Sequence, residues 1–310
     1  MTKNVHISVS PHIHSGRSTQ KIMLDVIIAL VPAAIAGTVI FGLRSLAVIA
    51  LCILSCLASE AIFDLVVKKV QTVGDLSAVV TGLLLALNLP ANTPLWQAAI
   101  GSVFAIVIVK CIFGGIGKNL VNPAITARVF MIVSFSALAV PAYPKNIPDA
   151  ISGATPLVLI GEGNTPSLID LLLGKHGGAI GETCAIALLL GGVYLVIRKV
   201  ITWHTPVAFI GGAFIFSFLF GGFDLMSAIA AVLSGGLLIG AIFMATDYVT
   251  SPTTSLGKLV FGFACAFITV VIRIWGVYPE GVSFAILLMN ILVPYIDGFT
   301  SRRLFGGKRA

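Results

Sequence analysis

The residue best suited to chemistry is Thr155, within Asp149-Ala-Ile-Ser152-Gly153-Ala154-Thr155-Pro156. Its hydroxyl is flanked by small residues, and Gly153 and Ala154 leave room for a bulky group to approach. Pro156 biases Thr155 toward extended backbone, which presents the side chain. Such a hydroxyl is a plausible acceptor for a covalent modification. The same Thr-Pro pair also reads as a helix N-cap with proline at the first helical position. On physics alone, that structural reading is favoured.

A second stretch, Phe113-Gly-Gly-Ile-Gly-Lys-Asn119-Leu-Val-Asn122-Pro123, superficially suggests a phosphate cradle. It lacks the strand–loop–helix context and the spacing of a Walker motif. It reads as a loop reversing direction between two helices, with Asn122 capping the next one. Charged residues inside apolar runs are costly in hydrocarbon and are functional candidates by default. Asp25, Glu60, Asp64, Lys110, Arg128, Asp247 and Arg273 qualify by position. Most lie within a turn or so of an expected helix end, where long side chains snorkel toward water. Asp247 adjoins an expected helix break. A carboxylate beside freed carbonyls could bind Na⁺ or relay a proton, and it could equally be a helix-end carboxylate facing water.

His6, His12 and His14 cluster near the start, where a solvated or subunit-contact role is expected. Cys52 and Cys56 lie one helical turn apart on an apolar face and read as small core residues. The five cysteines form no CxxC pair, which argues against a disulfide framework or a zinc site.

The elements that must position these residues are membrane helices. Of the 310 residues, 58% are hydrophobic and only 10% charged, and mean hydropathy is +1.07. An ordinary soluble domain carries roughly a quarter charged residues. The composition therefore excludes a soluble enzyme, a disordered chain and a nucleic-acid-binding domain, so no nucleic-acid partner is expected. Ten apolar runs approach the roughly 20 residues that a spanning helix needs. They are 22–42, 46–67, 76–89, 95–113, 121–141, 183–200, 204–220, 224–246, 256–274 and 281–297. The third is short, and the others are near full length.

If each run crosses once from an inside N-terminus, thirteen of the nineteen basic residues fall on the cytoplasmic side. Four fall outside, and Lys110 and Arg128 lie within runs. The positive-inside rule supports that orientation. It makes 1–21 and 298–310 cytoplasmic tails, the first not a signal peptide. The segment 142–182 becomes an outer loop between five-helix units 22–141 and 183–297. Runs starting at 22 and 95 recur at 183 and 256, at one common offset. Five spans per unit invert the second unit relative to the first. The expected fold is thus an all-α polytopic membrane protein of about ten helices in two inverted repeats. Its third and eighth helices are broken, near Asn88–Pro90 and Asp247–Pro252, a transporter-like signature. Lys110 and Arg273 are separated by nearly the same offset and occupy matching places.

Asp149-x-x-Ser152-Gly153-Ala154-Thr155 resembles the flavinylation motif of two related membrane proteins. These are the D subunit of the Rnf complex, an ion-translocating ferredoxin:NAD oxidoreductase, and the B subunit of the sodium-translocating NADH:quinone oxidoreductase. The stretches Val9–Ile13 with Arg17-Ser-Thr, Phe113–Pro123, Met244–Pro252 and Tyr278–Val282 are similar to the Rnf branch. The longer N-terminal extension usual in the quinone-reductase branch is lacking. The resemblance implies a membrane flavoprotein subunit of the bacterial cytoplasmic membrane. FMN would be bound covalently to Thr155 through a phosphoester installed by a separate flavin transferase, with Asp149, Ser152, Gly153 and Ala154 completing the recognition sequence. It also implies a second, non-covalent flavin (riboflavin), toward which Asn119 and Asn122 could donate hydrogen bonds. Partners would be the other subunits of the complex and membrane lipid. The chain carries no NAD-binding fingerprint and no iron–sulfur cysteine cluster, so it would act only within a complex. The alternatives are a stand-alone channel or secondary transporter, or the equivalent quinone-reductase subunit.

Overall fold

The computed structural model describes residues 18–68, 71–135, 141–144, 155–276 and 281–301. Asp149, Ser152, Gly153, Ala154, the three early histidines and the Val9–Ile13 and Tyr278–Val282 matches lie wholly or largely outside them.

Every described element of length is helical, and the only extended pairing among the described residues is an isolated bridge between Ala142 and Gly178. In chain order the helices are α1 (Thr19–Phe41), α2 (Leu43–Phe63), α3 (Ser77–Leu87), α4 (Leu95–Val103), α5 (Pro123–Ser134), α6 (Pro156–Gly161) and α7 (Leu168–Leu173). They continue with α8 (Ala185–Ile197), α9 (His204–Phe220), α10 (Leu225–Leu233), α11 (Leu237–Ile239), α12 (Ser255–Trp275) and α13 (Val282–Thr300). Three helices run on into wider π turns: α2 through Asp64–Lys68, α4 through Phe104–Cys111 and α11 through Gly240–Met244.

Among the described residues, four helices are long and apolar enough to cross a bilayer: Thr19–Phe41, Leu43–Val67, Ser255–Trp275 and Val282–Thr300. α10 and α11 together make a fifth candidate, bent by 63°. The remaining apolar helices are shorter than a full span. Each of the ten apolar runs contains a helix, but α5 and α8 stop well short of the runs 121–141 and 183–200, whereas α9 fills its run 204–220. The sharp bend also falls elsewhere than expected. The chain does leave the helix at Asn88 and after Met244, but the 63° break precedes α11, at Ser234–Gly236. There Gly235 and Gly236 adopt φ of +69° and +67°. Glycine is the residue that reaches this region without steric cost.

α3 and α11 form the centre. Every residue of α3 except Val79 is buried, as is all of Leu237–Met244. Their ends meet, because the Asn88 amide donates to Leu84 O at 2.7 Å and to Met244 Sδ at 3.6 Å. Around this centre α2 packs on α3, α1 on α8, and α12 on α9 and α13. Small residues let the backbones approach, as is common where helices meet in membranes. A Cβ at Gly191 of α8 would lie 2.2 Å from Ala29 O of α1, and one at Gly262 of α12 would lie 2.8 Å from Thr205 O. Val39, Leu43, Leu54, Ile62, Ile197 and Phe299 point outward and are exposed. An apolar exterior of this kind is what a lipid-facing surface requires.

Candidate functional site

A cavity of about 420 Å³ opens where α1, α3 and α5 begin and where the π turn after α4 ends. Its wall includes Ser77, Lys110, Asn119, Asn122 and Asp247. Four sequence candidates, far apart in the chain, are thereby brought together. Small-molecule sites typically measure roughly 300–1,000 Å³ and combine apolar walls with a few convergent polar groups.

Asn122 is both a cap and a tie. Its Oδ1 accepts from the backbone N–H of Ala124 and Ile125 at 3.0 and 3.3 Å, which starts α5 ahead of Pro123. Its Nδ2 donates to Met244 O at 3.3 Å, joining that helix start to the end of the broken segment. Asn290 braces the same junction, donating to Thr250 O and Ile286 O and accepting from the Asn122 N–H. Asn119 is buried in the preceding loop. Its Nδ2 donates to Val121 O at 3.2 Å. Asp247 accepts from the Thr250 hydroxyl at 3.0 Å.

Lys110 and Glu60 were expected to lie near helix ends, where such side chains reach water. They do not. Both are buried inside the protein, with their charged atoms 2.7 Å apart. Lys110 Nζ also donates to Ser77 Oγ at 2.5 Å. The Thr72 hydroxyl lies 2.9 Å from Glu60 Oε1 and 2.7 Å from Asp64 Oδ2. Ser77 Oγ in turn donates to Asp75. Arg128 and Asp64 are likewise buried rather than snorkelling. Asp25 behaves more as expected. It sits at the edge of the bundle, pairing with Arg198 at 3.2 Å and accepting from the Tyr194 hydroxyl at 2.9 Å. Cys52 and Cys56 are fully buried core residues. Among the described residues no cluster of His, Cys, Asp and Glu could hold a metal ion.

Thr155 lies elsewhere. It occupies the N-cap position of α6, with φ −70° and ψ 158°, the extended geometry that Pro156 favours. The capping position is therefore real, yet the side chain makes no capping hydrogen bond. Its Oγ1 is buried and has no partner among the described residues. An unspent buried hydroxyl costs roughly 1–3 kcal/mol. α6 packs on α10, just before the break at Ser234–Gly236.

Sequence reasoning passed over Ser77, which receives the buried lysine. The signal for it was Asp75-Leu-Ser77, a carboxylate two residues before a helix start. Asn88 was read only as the end of a helix, and Asn290 was passed over. The signal for both was a polar residue at membrane depth in an otherwise apolar run.

An all-helical, apolar-surfaced bundle with broken helices at its centre and a polar cavity beside them defines a multi-pass membrane protein with a built small-molecule pocket. The family model for the NQR2, RnfD, RnfE family matches residues 6–306, and the chain belongs to that family. It is 46% identical to the D subunit of the Na(+)-translocating ferredoxin:NAD(+) oxidoreductase complex of Acetobacterium woodii, over 98% of this chain and 96% of that one. It is 40% identical to the D subunit of the proton-translocating ferredoxin:NAD(+) oxidoreductase complex of Clostridium ljungdahlii, over 99% and 98%. It is 35% identical to the D subunit of the ion-translocating oxidoreductase complex of Aliivibrio salmonicida, over 98% and 99%.

Proposed function

We propose that this chain is the D-type membrane subunit of an Rnf-type complex, coupling electron transfer between ferredoxin and NAD to ion translocation across a bacterial cytoplasmic membrane. In this reading a flavin transferase joins FMN to Thr155 through a phosphoester. A second, non-covalent flavin binds in the cavity lined by Asn119 and Asn122. When bound, flavins supply one- and two-electron transfer; the protein supplies position and electrostatics.

The observation that carries the proposal is the Thr155 hydroxyl. It is buried, held in extended geometry and unspent by the cap it could have made. It closes an Asp-x-x-Ser-Gly-Ala-Thr match in a member of this family. The cavity supports the second flavin by its donor set. Asn119 and Asn122 place amides on its wall, Asp247 a carboxylate and Lys110 an ammonium. The Lys110 charge is already offset by Glu60 at 2.7 Å. A phosphate dianion beside Asp247 would go uncompensated, so a neutral flavin of the riboflavin type suits the site better than FMN.

Matched local geometry supports ten spans in two inverted repeats. α3 follows Leu76 at φ 64°, and α11 follows Gly236 at φ 67°, at the corresponding place in the second unit. Lys110 reaches the start of α3, and Arg273 reaches the break before α11. With both termini cytoplasmic, the Asn122 cavity faces the cytoplasm and Thr155 the outer side.

The test is peptide mass analysis after co-expression with an active flavin transferase, with Thr155→Ala as control. One FMN increment on the Thr155 peptide, absent from the variant, is expected. No flavin on any peptide would sink the covalent assignment and leave a transporter built on the same broken-helix fold.

A further inference from the structure

Three segments meet at the start of α12: the connection from α8 to α9, the turn that follows Met244, and the first turn of α12 itself. Between them lies a separate cavity of about 260 Å³. Its wall includes Thr202, Thr205, Tyr248, Ser251, Thr253 and Lys258.

Hydroxyls dominate this wall, and two of them are closed in. Thr205 is 1% exposed and Ser251 9%, and both line the cavity. Among the described residues neither hydroxyl makes a hydrogen bond. Buried hydroxyls usually find partners, and those nearby have done so: Thr246 donates to Ile242 O at 2.6 Å and Thr250 to Asp247 at 3.0 Å. Lys258 is the cation of the wall. Its Nζ donates to Thr202 Oγ1 at 3.2 Å. An ammonium carries three donors, which leaves two for a ligand, and the Thr202 hydroxyl keeps its own proton to give. Among the described residues no carboxylate lines the cavity. Asp247 and Asp297 adjoin the turn, but the first accepts from the Thr250 hydroxyl and the second from the Thr253 N–H at 3.0 and 3.3 Å. One cation with several hydroxyl donors and no facing anion selects an anion rich in oxygen acceptors, as a phosphate is.

The surroundings indicate which phosphate. Trp203, between Thr202 and Thr205 in the chain, is exposed, as is Tyr248. Such aromatic residues concentrate at the membrane–water boundary. At the starts of α9 and α12 the apolar Val207, Leu256 and Val260 are exposed as well. Arg198 and Lys199, just before Val200 of the wall, are exposed and add positive charge. Donor-rich cavity, basic neighbours and apolar flanks thus coincide at the level where a lipid carries its phosphate. Basic pockets between membrane helices recognise anionic headgroups.

We propose that this cavity binds the phosphate of an anionic membrane lipid such as phosphatidylglycerol, with Lys258 as the charge partner and Thr205 and Ser251 as the buried donors. In the orientation proposed above the site belongs to the cytoplasmic leaflet. The binding itself is independent of the flavin assignments.

The experiment is native mass spectrometry of the whole detergent-solubilised complex, titrated separately with phosphatidylglycerol, phosphatidylcholine and inorganic phosphate. Lys258→Gln removes the charge. Thr253→Trp, at an exposed position on the rim, blocks the cavity without entering the buried core. Each variant should lose one tightly held phosphatidylglycerol per copy of this chain. Its affinity should fall about tenfold or more in Lys258→Gln, the effect of one lost charge-assisted hydrogen bond. Lys258→Arg, which keeps the charge, should retain the lipid. Phosphatidylcholine, whose own ammonium offsets its phosphate, should not fill the site. Equal phosphatidylglycerol binding by the native protein and both variants would overturn the proposal. Inorganic phosphate held by the native protein and lost from both variants, with lipid binding unchanged, would overturn the lipid assignment and make the ligand a soluble phosphate.

Discussion

Lys110→Met tests whether the buried charges are part of the architecture. In the native protein Lys110 Nζ stands 2.7 Å from Glu60 Oε1 and 2.5 Å from Ser77 Oγ, with the two charged side chains 3% and 1% exposed. Methionine nearly matches the lysine stem in length and fills most of its space, so the packing loss is small. The electrostatic loss is large, because the Glu60 carboxylate is left in the protein interior with the Thr72 hydroxyl and no ammonium. Removing one partner of a buried pair costs about 3–5 kcal/mol, roughly a 150- to 5,000-fold shift toward the unfolded state. Removing both charges should return most of that, since replacing a buried pair by apolar groups is often neutral. The assay is thermal unfolding of the detergent-solubilised protein, followed by the fluorescence of Trp96, Trp203 and Trp275. The single variant should melt far below the native protein, and Lys110→Met with Glu60→Leu should recover most of the loss. A single variant as stable as the native chain, or a double variant no better than the single, would refute the argument.

Thr155→Val should abolish flavin attachment while leaving the melting temperature unchanged or slightly raised, because the lost hydroxyl makes no hydrogen bond to the described residues; peptide mass and a melting curve check both halves. Asn122→Asp keeps the oxygen that caps α5 but removes the donor to Met244 O. It should preserve folding yet lower the non-covalent flavin retained through gel filtration, whereas Asn122→Ala should also cost about 1 kcal/mol of cap stability. His176 contributes a pH dependence. Burial holds its pKa below the ordinary imidazole value of 6.5, against the opposing pull of the Gly177 and Thr183 carbonyls. The folded state thus prefers neutral imidazole. Its contribution is complete above pH 6.5 and is lost as pH falls through 6.5 toward the lower folded value. Melting temperature should drop over that window, and His176→Gln should flatten the drop.

The helices were legible because an apolar run is itself the signal for one, and all ten runs hold a helix. The lengths of α5 and α8 were not. The run 224–246 reads as one continuous span in hydropathy, yet Ser234-Gly235-Gly236 turns the chain through 63°. Two glycines are nearly neutral in an apolar average, and only their positive φ reveals the bend. The charge pairing was hidden for a different reason. Glu60 and Lys110 stand on different helices, far apart in the chain, and each alone resembles an interfacial charge. Only the packing of α2 against the π turn after α4 brings them together. At Thr155 the sequence correctly placed a cap position. It could not tell whether the hydroxyl would be spent on capping, because that depends on side-chain orientation.

The pocket and the broken helices are built from the same atoms, and this constrains how the site can work. Asn122 lines the cavity, starts α5 and holds Met244 O at the end of the α11 segment. Met244 Sδ in turn accepts from Asn88 at the end of α3. Asn290 locks the Asn122 N–H to Thr250, three residues beyond Asp247. A ligand in the cavity therefore rests on groups that also fix the two helix ends meeting at the centre. Linkage makes any coupling reciprocal: if loosening the Asn122–Met244 tie changes ligand affinity by some factor, the bound ligand changes the tie by the same factor. The identity of the translocated ion lies outside this logic. Relatives at 46% and 40% identity carry names with different ions, sodium in one and protons in the other.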